Sequence, residues 1–144
     1  MVSDNFDSSD ERAYLVALSR VTHVGPVRLG RLRDRFGSLD LAWNADEREL
    51  LQVLDERTCR AVVSARSKVD PTAVLEGIDR AGASVITVLD EGYPRLLREI
   101  PGPPPVLYYR GSLPARDEPT VAIVGTRKAT AYGREATSRI ASEL

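Results

Sequence analysis

The chain has 144 residues, of which 42% are hydrophobic, and its 20 basic side chains nearly balance 21 acidic ones. This composition permits a buried core and excludes a charge-driven disordered polymer. The single cysteine excludes a disulfide framework and a cysteine-rich zinc site, and the single histidine removes most histidine-based metal or triad chemistry. An acidic N-terminus without a long apolar run predicts a cytoplasmic protein with no signal peptide and no membrane contact.

Charge is distributed unevenly along the chain. Residues 12–35 carry six arginines and one acid, a net charge of +5, whereas residues 36–91 have a net charge of −5. Residues 120–144 return to +2. A polyanion is therefore expected to contact the two ends of the sequence rather than its middle. The alternative is that the arginines only solvate helix faces.

The first half of the chain has the spacing of short helices. Ser8 and Glu11 have capping-box spacing, and Pro26 and Gly37 are residue types that begin and end helices. Apolar residues recur at helical spacing between such signals. The predicted helices run over residues 10–20, 26–36, 46–54, 56–68 and 71–81. Together they predict a helical N-terminal domain over residues 10–82.

The hydrophobic period changes after residue 82. Short apolar runs at residues 84–89, 106–109 and 121–124 predict β-strands, and the third run is typical of a parallel sheet buried on both faces. A loop and a helix pattern that reaches Leu144 follow. The fold class is thus α/β, and residues 83–144 form the second predicted domain. One strand, loop and helix cannot cover both faces of a parallel sheet, so we expect this domain to be incomplete.

The loop after the third predicted strand has the residue types of a phosphate site. Gly125 allows a close backbone approach or an unusual backbone angle, Thr126 supplies a hydroxyl, and Arg127 can form two hydrogen bonds with phosphate oxygens. Lys128 adds a positive charge. Neither a GxGxxG motif nor a P-loop is present, and an ordinary tight turn with Arg127 at its solvated rim explains the same residues. No metal, cofactor or catalytic group is predicted.

Four other side chains have simple structural interpretations. Cys59 is predicted to pack in a helix rather than act as a nucleophile, and sheet packing accounts for Tyr108 and Tyr109. His23 stands where a helix-hairpin-helix turn has its first glycine. Residues 23–25 therefore form either an ordinary packed turn or a weak contact to nucleic acid.

Several short motifs follow one another in a fixed order. They are Val24-Gly25-Pro26, Phe36-Gly37-Ser38, Tyr93-Pro94, Pro103-Pro104-Pro105, Val106-Leu107-Tyr108, Gly111, the run Val121-Ala122-Ile123-Val124-Gly125-Thr126-Arg127, and Tyr132-Gly133. This order and spacing resembles the DNA-processing protein A family, also called DprA or Smf. The resemblance implies a small helical domain of the SAM or helix-hairpin-helix type, followed by the truncated beginning of a Rossmann-like domain with a parallel sheet.

The resemblance also implies a function. It implies a cytoplasmic protein that is not an enzyme, that binds and protects single-stranded DNA during natural transformation and recombination, and that assists loading of the RecA recombinase. The matching DNA-binding positions are Gly125, Thr126 and Arg127, and Lys128 contributes charge only. A homodimer of the full-length protein is compatible with it. Two alternatives remain: a Rossmann-like nucleotide-binding enzyme whose catalytic part lies beyond Leu144, and an interaction module that binds a partner protein.

Overall fold

The computed structural model describes residues 8–113 and 121–144, with side chains from Glu11 onward. The elements are, in chain order, α1 (Ser8–Ser19), α2 (Pro26–Phe36), α3 (Leu39–Asn44), α4 (Glu47–Leu50), α5 (Glu56–Arg66), α6 (Pro71–Arg80), β1 (Ser84–Thr87), α7 (Arg95–Arg98), β2 (Val106–Tyr109) and α8 (Ala131–Glu143). The five predicted helices of the first half are confirmed, although the one predicted over residues 46–54 shortens to α4. The short helices α3 and α7 were not predicted from the sequence.

Local side-chain chemistry fixes where the helices begin and end. Asp46 accepts a hydrogen bond from the Glu49 backbone N–H and forms a complete capping box with that residue. Asp55 and Asp70 cap α5 and α6 by accepting hydrogen bonds from the backbone N–H groups of Thr58 and Thr72. At the C-terminal end of α2, Gly37 has a φ of 86°, a left-handed conformation that favours glycine.

The hydrophobic core lies mainly between the helices. Leu18, Leu32, Leu39 and Leu50 are fully buried. Helix α1 is central to this core, since it packs against α2, α3 and α6 and also contacts both strands. Partly buried side chains from the second predicted domain, among them Val106, pack against the same helical core.

The sheet has two strands, and they are antiparallel. Ser84 lies opposite Tyr109, and Thr87 lies opposite Val106. In the described part of the chain, the expected parallel sheet is therefore not confirmed. Residues 88–105, which include α7 and the proline-rich segment, return the chain so that β2 runs opposite to β1.

Residues 121–124 do not form the third predicted strand. They have no regular secondary structure, and the exposed fractions of Val121 and Val124 are 67% and 90%. No residue of the stretch 121–144 is buried. A strand needs a neighbour for its backbone hydrogen bonds, and neither of the two described strands pairs with residues 121–124. The described residues thus form a mainly helical structure with a small two-stranded antiparallel sheet. Of the helices in these residues, none has both the length and the apolar character to cross a membrane.

Candidate nucleic-acid interface

The loop before α8 is organised by two threonine hydroxyl groups. The Thr130 Oγ1 caps the helix by accepting a hydrogen bond of 3.1 Å from the Gly133 backbone N–H. The Thr126 Oγ1 accepts a longer one, of 3.3 Å, from the Lys128 N–H. Threonine commonly closes turns of this kind onto its own backbone. We call residues 125–134, which comprise this loop and the first turn of α8, the α8 loop.

Three cations lie in the α8 loop. Arg127 and Lys128 are exposed, and within residues 8–113 and 121–144 neither side chain forms a hydrogen bond or an ion pair. The Arg134 Nη1 donates a 2.8 Å hydrogen bond to the Ala129 carbonyl, which holds this guanidinium against the loop. The acid in the first turns of α8 is Glu135. The loop is therefore positively charged at a helix N-terminus, where the helix dipole also favours an anion.

Sequence reasoning missed Arg134. The available signal was its position four residues after the helix cap Thr130, which places it in the first turns of α8 and next to the loop. By contrast, Arg139 near the end of the helix pairs with Glu143 at 3.1 Å. The positive charge of α8 is thus concentrated at its N-terminal end.

Gly125 does not have the unusual backbone angle that the sequence analysis allowed. Its φ is not among the positive values found in the described residues, which include Gly37, Gly82, Gly102 and Gly111. A Cβ added at Gly125 would meet no heavy atom within 4 Å. The glycine therefore leaves open space above the loop, and close approach of a phosphate to it stays a prediction.

Most arginines of the basic segment 12–35 are engaged in internal contacts. Arg12 donates to the Val85 carbonyl and lies 3.7 Å from an Asp90 oxygen, which ties α1 to the sheet. The other contacts are Arg33 with Glu11 at 3.0 Å, Arg35 with Gln52 at 3.1 Å, and Arg28 with Asp55 at 2.7 Å. Arg20 and Arg31 are the exceptions within the described part of the chain. The charge count therefore overstates the positive charge that this segment offers to a polyanion.

The turn between α1 and α2 belongs to one of these internal networks. His23 has a φ of 73°, and its carbonyl accepts a 2.9 Å hydrogen bond from the Arg28 Nη1. The same guanidinium contacts Asp55. Asp55 also accepts hydrogen bonds from the backbone N–H and the hydroxyl of Thr58. These bonds, and then Arg28, lower the pKa of Asp55 from 3.8 to about 2.

The structure provides no clear nucleophile or metal centre in the residues that it describes. Cys59 is fully buried, and desolvation raises the pKa of its thiol, which disfavours the reactive thiolate. The described histidine, cysteine and carboxylate side chains do not assemble into a group of three that could hold a metal ion. Binding through exposed cations is the chemistry that the α8 loop offers.

Comparison of the sequence with known proteins relates the chain to a family. The family model described as DNA recombination-mediator protein A matches residues 84–144, which include β1, β2, the α8 loop and α8. The Protein Smf of Synechocystis sp. (strain ATCC 27184 / PCC 6803 / Kazusa) is 39% identical over 143 residues. This match covers 95% of the present chain and 36% of the relative. No solved structure matches the chain.

Residues 84–144 are thus similar to the DNA recombination-mediator family. The chain belongs to the DNA-processing protein A family, also called DprA or Smf. It spans about a third of the length of the curated relative that it matches.

Proposed function

We propose that the chain binds single-stranded DNA through the α8 loop and that it acts in DNA processing during recombination and natural transformation. The observation that supports this most directly is that Arg127 and Lys128 are exposed cations without an internal partner in the described residues. Both lie in the region that the recombination-mediator family model matches. In the proposal, Arg127 contacts a phosphate, Lys128 adds charge, and Gly125 and Thr126 let the backbone approach the strand.

Electrostatics explains why such a loop suits a DNA backbone. An arginine forms two parallel hydrogen bonds with phosphate oxygens, and each contact releases counterions from the strand. Contacts to phosphate carry no sequence information, so binding is expected to be nearly independent of sequence. Tyr132 is 81% exposed beside the loop and could stack on a base without selecting one.

The role proposed for the whole protein is wider than this loop. We propose that it is a cytoplasmic, non-enzymatic mediator that protects incoming single strands and assists loading of the RecA recombinase, with a homodimer as its assembly. The family description supports the mediator role within this part of the proposal. We also propose a fold for the whole protein. Its first domain is of the SAM or helix-hairpin-helix type, and its second domain is Rossmann-like.

Equilibrium binding to labelled oligo(dT) and to labelled mononucleotides tests the proposal. We expect affinity to rise with strand length and to fall with salt, because each phosphate contact contributes about −0.7 to the slope of log affinity against log salt. Duplex DNA of the same length is the matched control ligand, and we expect it to bind more weakly than the single strand. Equal affinity for mononucleotides and long strands would contradict the proposal and favour a nucleotide-binding site instead.

A further inference from the structure

A second surface of the molecule combines free cations, an exposed aromatic ring and an apolar floor. It is an open groove of about 570 Å³ that runs along α6, between the end of α1 and the strand β2. Val69, Val74 and Ile78 are among the residues of its floor. Arg20, Lys68 and Tyr108 lie at its rim. We call it the α6 groove.

The charge of the α6 groove is positive and available. Arg20 and Lys68 are both exposed, and in the described residues their side chains form no hydrogen bond or ion pair. The acid of the groove is Asp70, and its Oδ1 is already the acceptor for the Thr72 N–H at 3.0 Å. Arg110 adds charge nearby, since its Nη2 reaches the carbonyl of Ala81, which also lines the groove.

Tyr108 gives the groove an accessible aromatic surface. It is 49% exposed, whereas its neighbour Tyr109 is half-buried and Tyr93 is 3% exposed. Strand β2 fixes the backbone of Tyr108 through its pairing with Val85. An aromatic ring held on a strand beside aliphatic side chains is a surface on which an unstacked base can lie.

We propose that the α6 groove is a second binding surface for unpaired nucleic acid, in which Tyr108 stacks on a base while Arg20 and Lys68 contact the flanking phosphates. This inference rests on the proposed function, because it gives the same strand a further contact. The combination favours a single strand over other anions. A duplex keeps its bases stacked inside the helix, and an acidic peptide would use the cations without the aromatic ring.

Charge substitutions in the full chain provide the first test. We expect the double variant Arg20→Gln, Lys68→Gln to reduce the salt slope for oligo(dT) binding by about 1.4, which corresponds to two phosphate contacts. The matched control is Arg57→Gln, Arg60→Gln, which removes two exposed cations from α5, a helix that contributes no residue to the groove. The control should keep the wild-type slope. Equal slopes for the two double variants would overturn the proposal.

Substitution of the aromatic ring provides the second test. Tyr108→Leu should weaken oligo(dT) binding about 5- to 100-fold, because it removes the stacking surface and keeps an apolar side chain. Tyr108→Phe should bind as the wild type does, since it retains the ring. Matching far-ultraviolet circular dichroism spectra establish that the variants are folded. Equal affinities of the Leu and Phe variants would overturn the stacking contact and with it the proposal.

The two proposals fail in different ways. If Arg127→Ala weakens binding while the groove variants behave like the α5 control, the groove proposal falls and the proposed function stands. If the wild-type chain binds no single strand, both fall. If an acidic peptide or a mononucleotide competes for the groove as strongly as the strand does, the occupant assigned here is wrong.

Discussion

The hydroxyl of Tyr93 donates a 2.8 Å hydrogen bond to the carbonyl oxygen of Pro104. This bond joins two of the motifs that carry the family resemblance, namely Tyr93-Pro94 and the run of prolines before β2. Prolines have no backbone N–H, so their segment cannot be held by an ordinary ladder of backbone hydrogen bonds. The ring of Tyr93 is buried, and the Arg98 guanidinium lies 5.6 Å from its centre. Tyr93 therefore anchors the proline-rich segment on the body of the protein.

The first prediction concerns this anchor. Tyr93→Phe should lower the free energy of unfolding by about 1 kcal/mol, because the buried ring remains and only its hydrogen bond is lost. Urea unfolding followed by circular dichroism measures the change. Tyr132→Phe is the matched control, since Tyr132 is 81% exposed and its hydroxyl should contribute nothing. Equal losses in the two variants would contradict the anchoring role of Tyr93.

The second prediction follows from the same burial. Desolvation raises the pKa of Tyr93 above its ordinary value of 10.0, so the folded state keeps the phenol proton at a pH where the unfolded chain releases it. The stability that this provides is complete below pH 10.0 and is lost as pH rises from there through the folded pKa. Wild-type stability should therefore fall more steeply in alkali than that of Tyr93→Phe. Parallel alkaline profiles in thermal melts would refute the assignment.

Local signals in the sequence identified most helices, but pairing between distant parts of the chain was not predictable. Helix α2 runs between Pro26 and Gly37 as expected, because a helix depends on residues close in sequence. Residues 121–124 have the composition of a strand, yet a strand depends on a partner, and none of the described strands pairs with them. In the α8 loop, residue types pointed to Arg127. The contact between Arg28 and Asp55 spans 27 residues, and no spacing rule reveals it.

The third prediction concerns Asp55. Its hydrogen bonds with Thr58, and then its contact with Arg28, lower its pKa from 3.8 to about 2. The stability contributed by the ionised carboxylate is therefore present above pH 3.8 and is lost as pH falls through about 2. Asp55→Asn keeps a capping side chain but has no charge to lose. The difference in stability between wild type and Asp55→Asn should shrink over this range in acid titrations. A constant difference would show that the charge of Asp55 plays no part.

The fourth prediction concerns the turn before α2. His23 adopts a φ of 73°, which costs an ordinary residue about 1 kcal/mol more than it costs glycine. The His23 side chain is exposed, so its replacement removes no buried contact. The hydrogen bond from Arg28 goes to the His23 backbone carbonyl and therefore survives the replacement. His23→Gly should therefore raise the unfolding free energy by about 0.5 kcal/mol, because the added freedom of the unfolded chain offsets part of the relief. His23→Val should lower it. Chemical denaturation of both variants checks the order, and a less stable glycine variant would contradict it.

The fifth prediction tests Arg127 within the α8 loop. Arg127→Ala should weaken oligo(dT) binding and reduce the salt slope by about 0.7, the amount expected for one lost phosphate contact on a single strand. Arg139→Ala is the matched control, because it removes the same charge from α8 but takes away a guanidinium that is paired with Glu143.

A general effect of net charge would lower the affinity of the two variants alike, whereas a specific phosphate contact predicts a change of slope in Arg127→Ala alone. Measurement at several salt concentrations separates the two explanations, since the slope counts contacts and the affinity at one concentration does not. A normal slope in a folded Arg127→Ala variant would show that Arg127 does not contact the phosphate. Arg134 would then be the next position to substitute, because its hydrogen bond to the Ala129 carbonyl holds it at the same helix end.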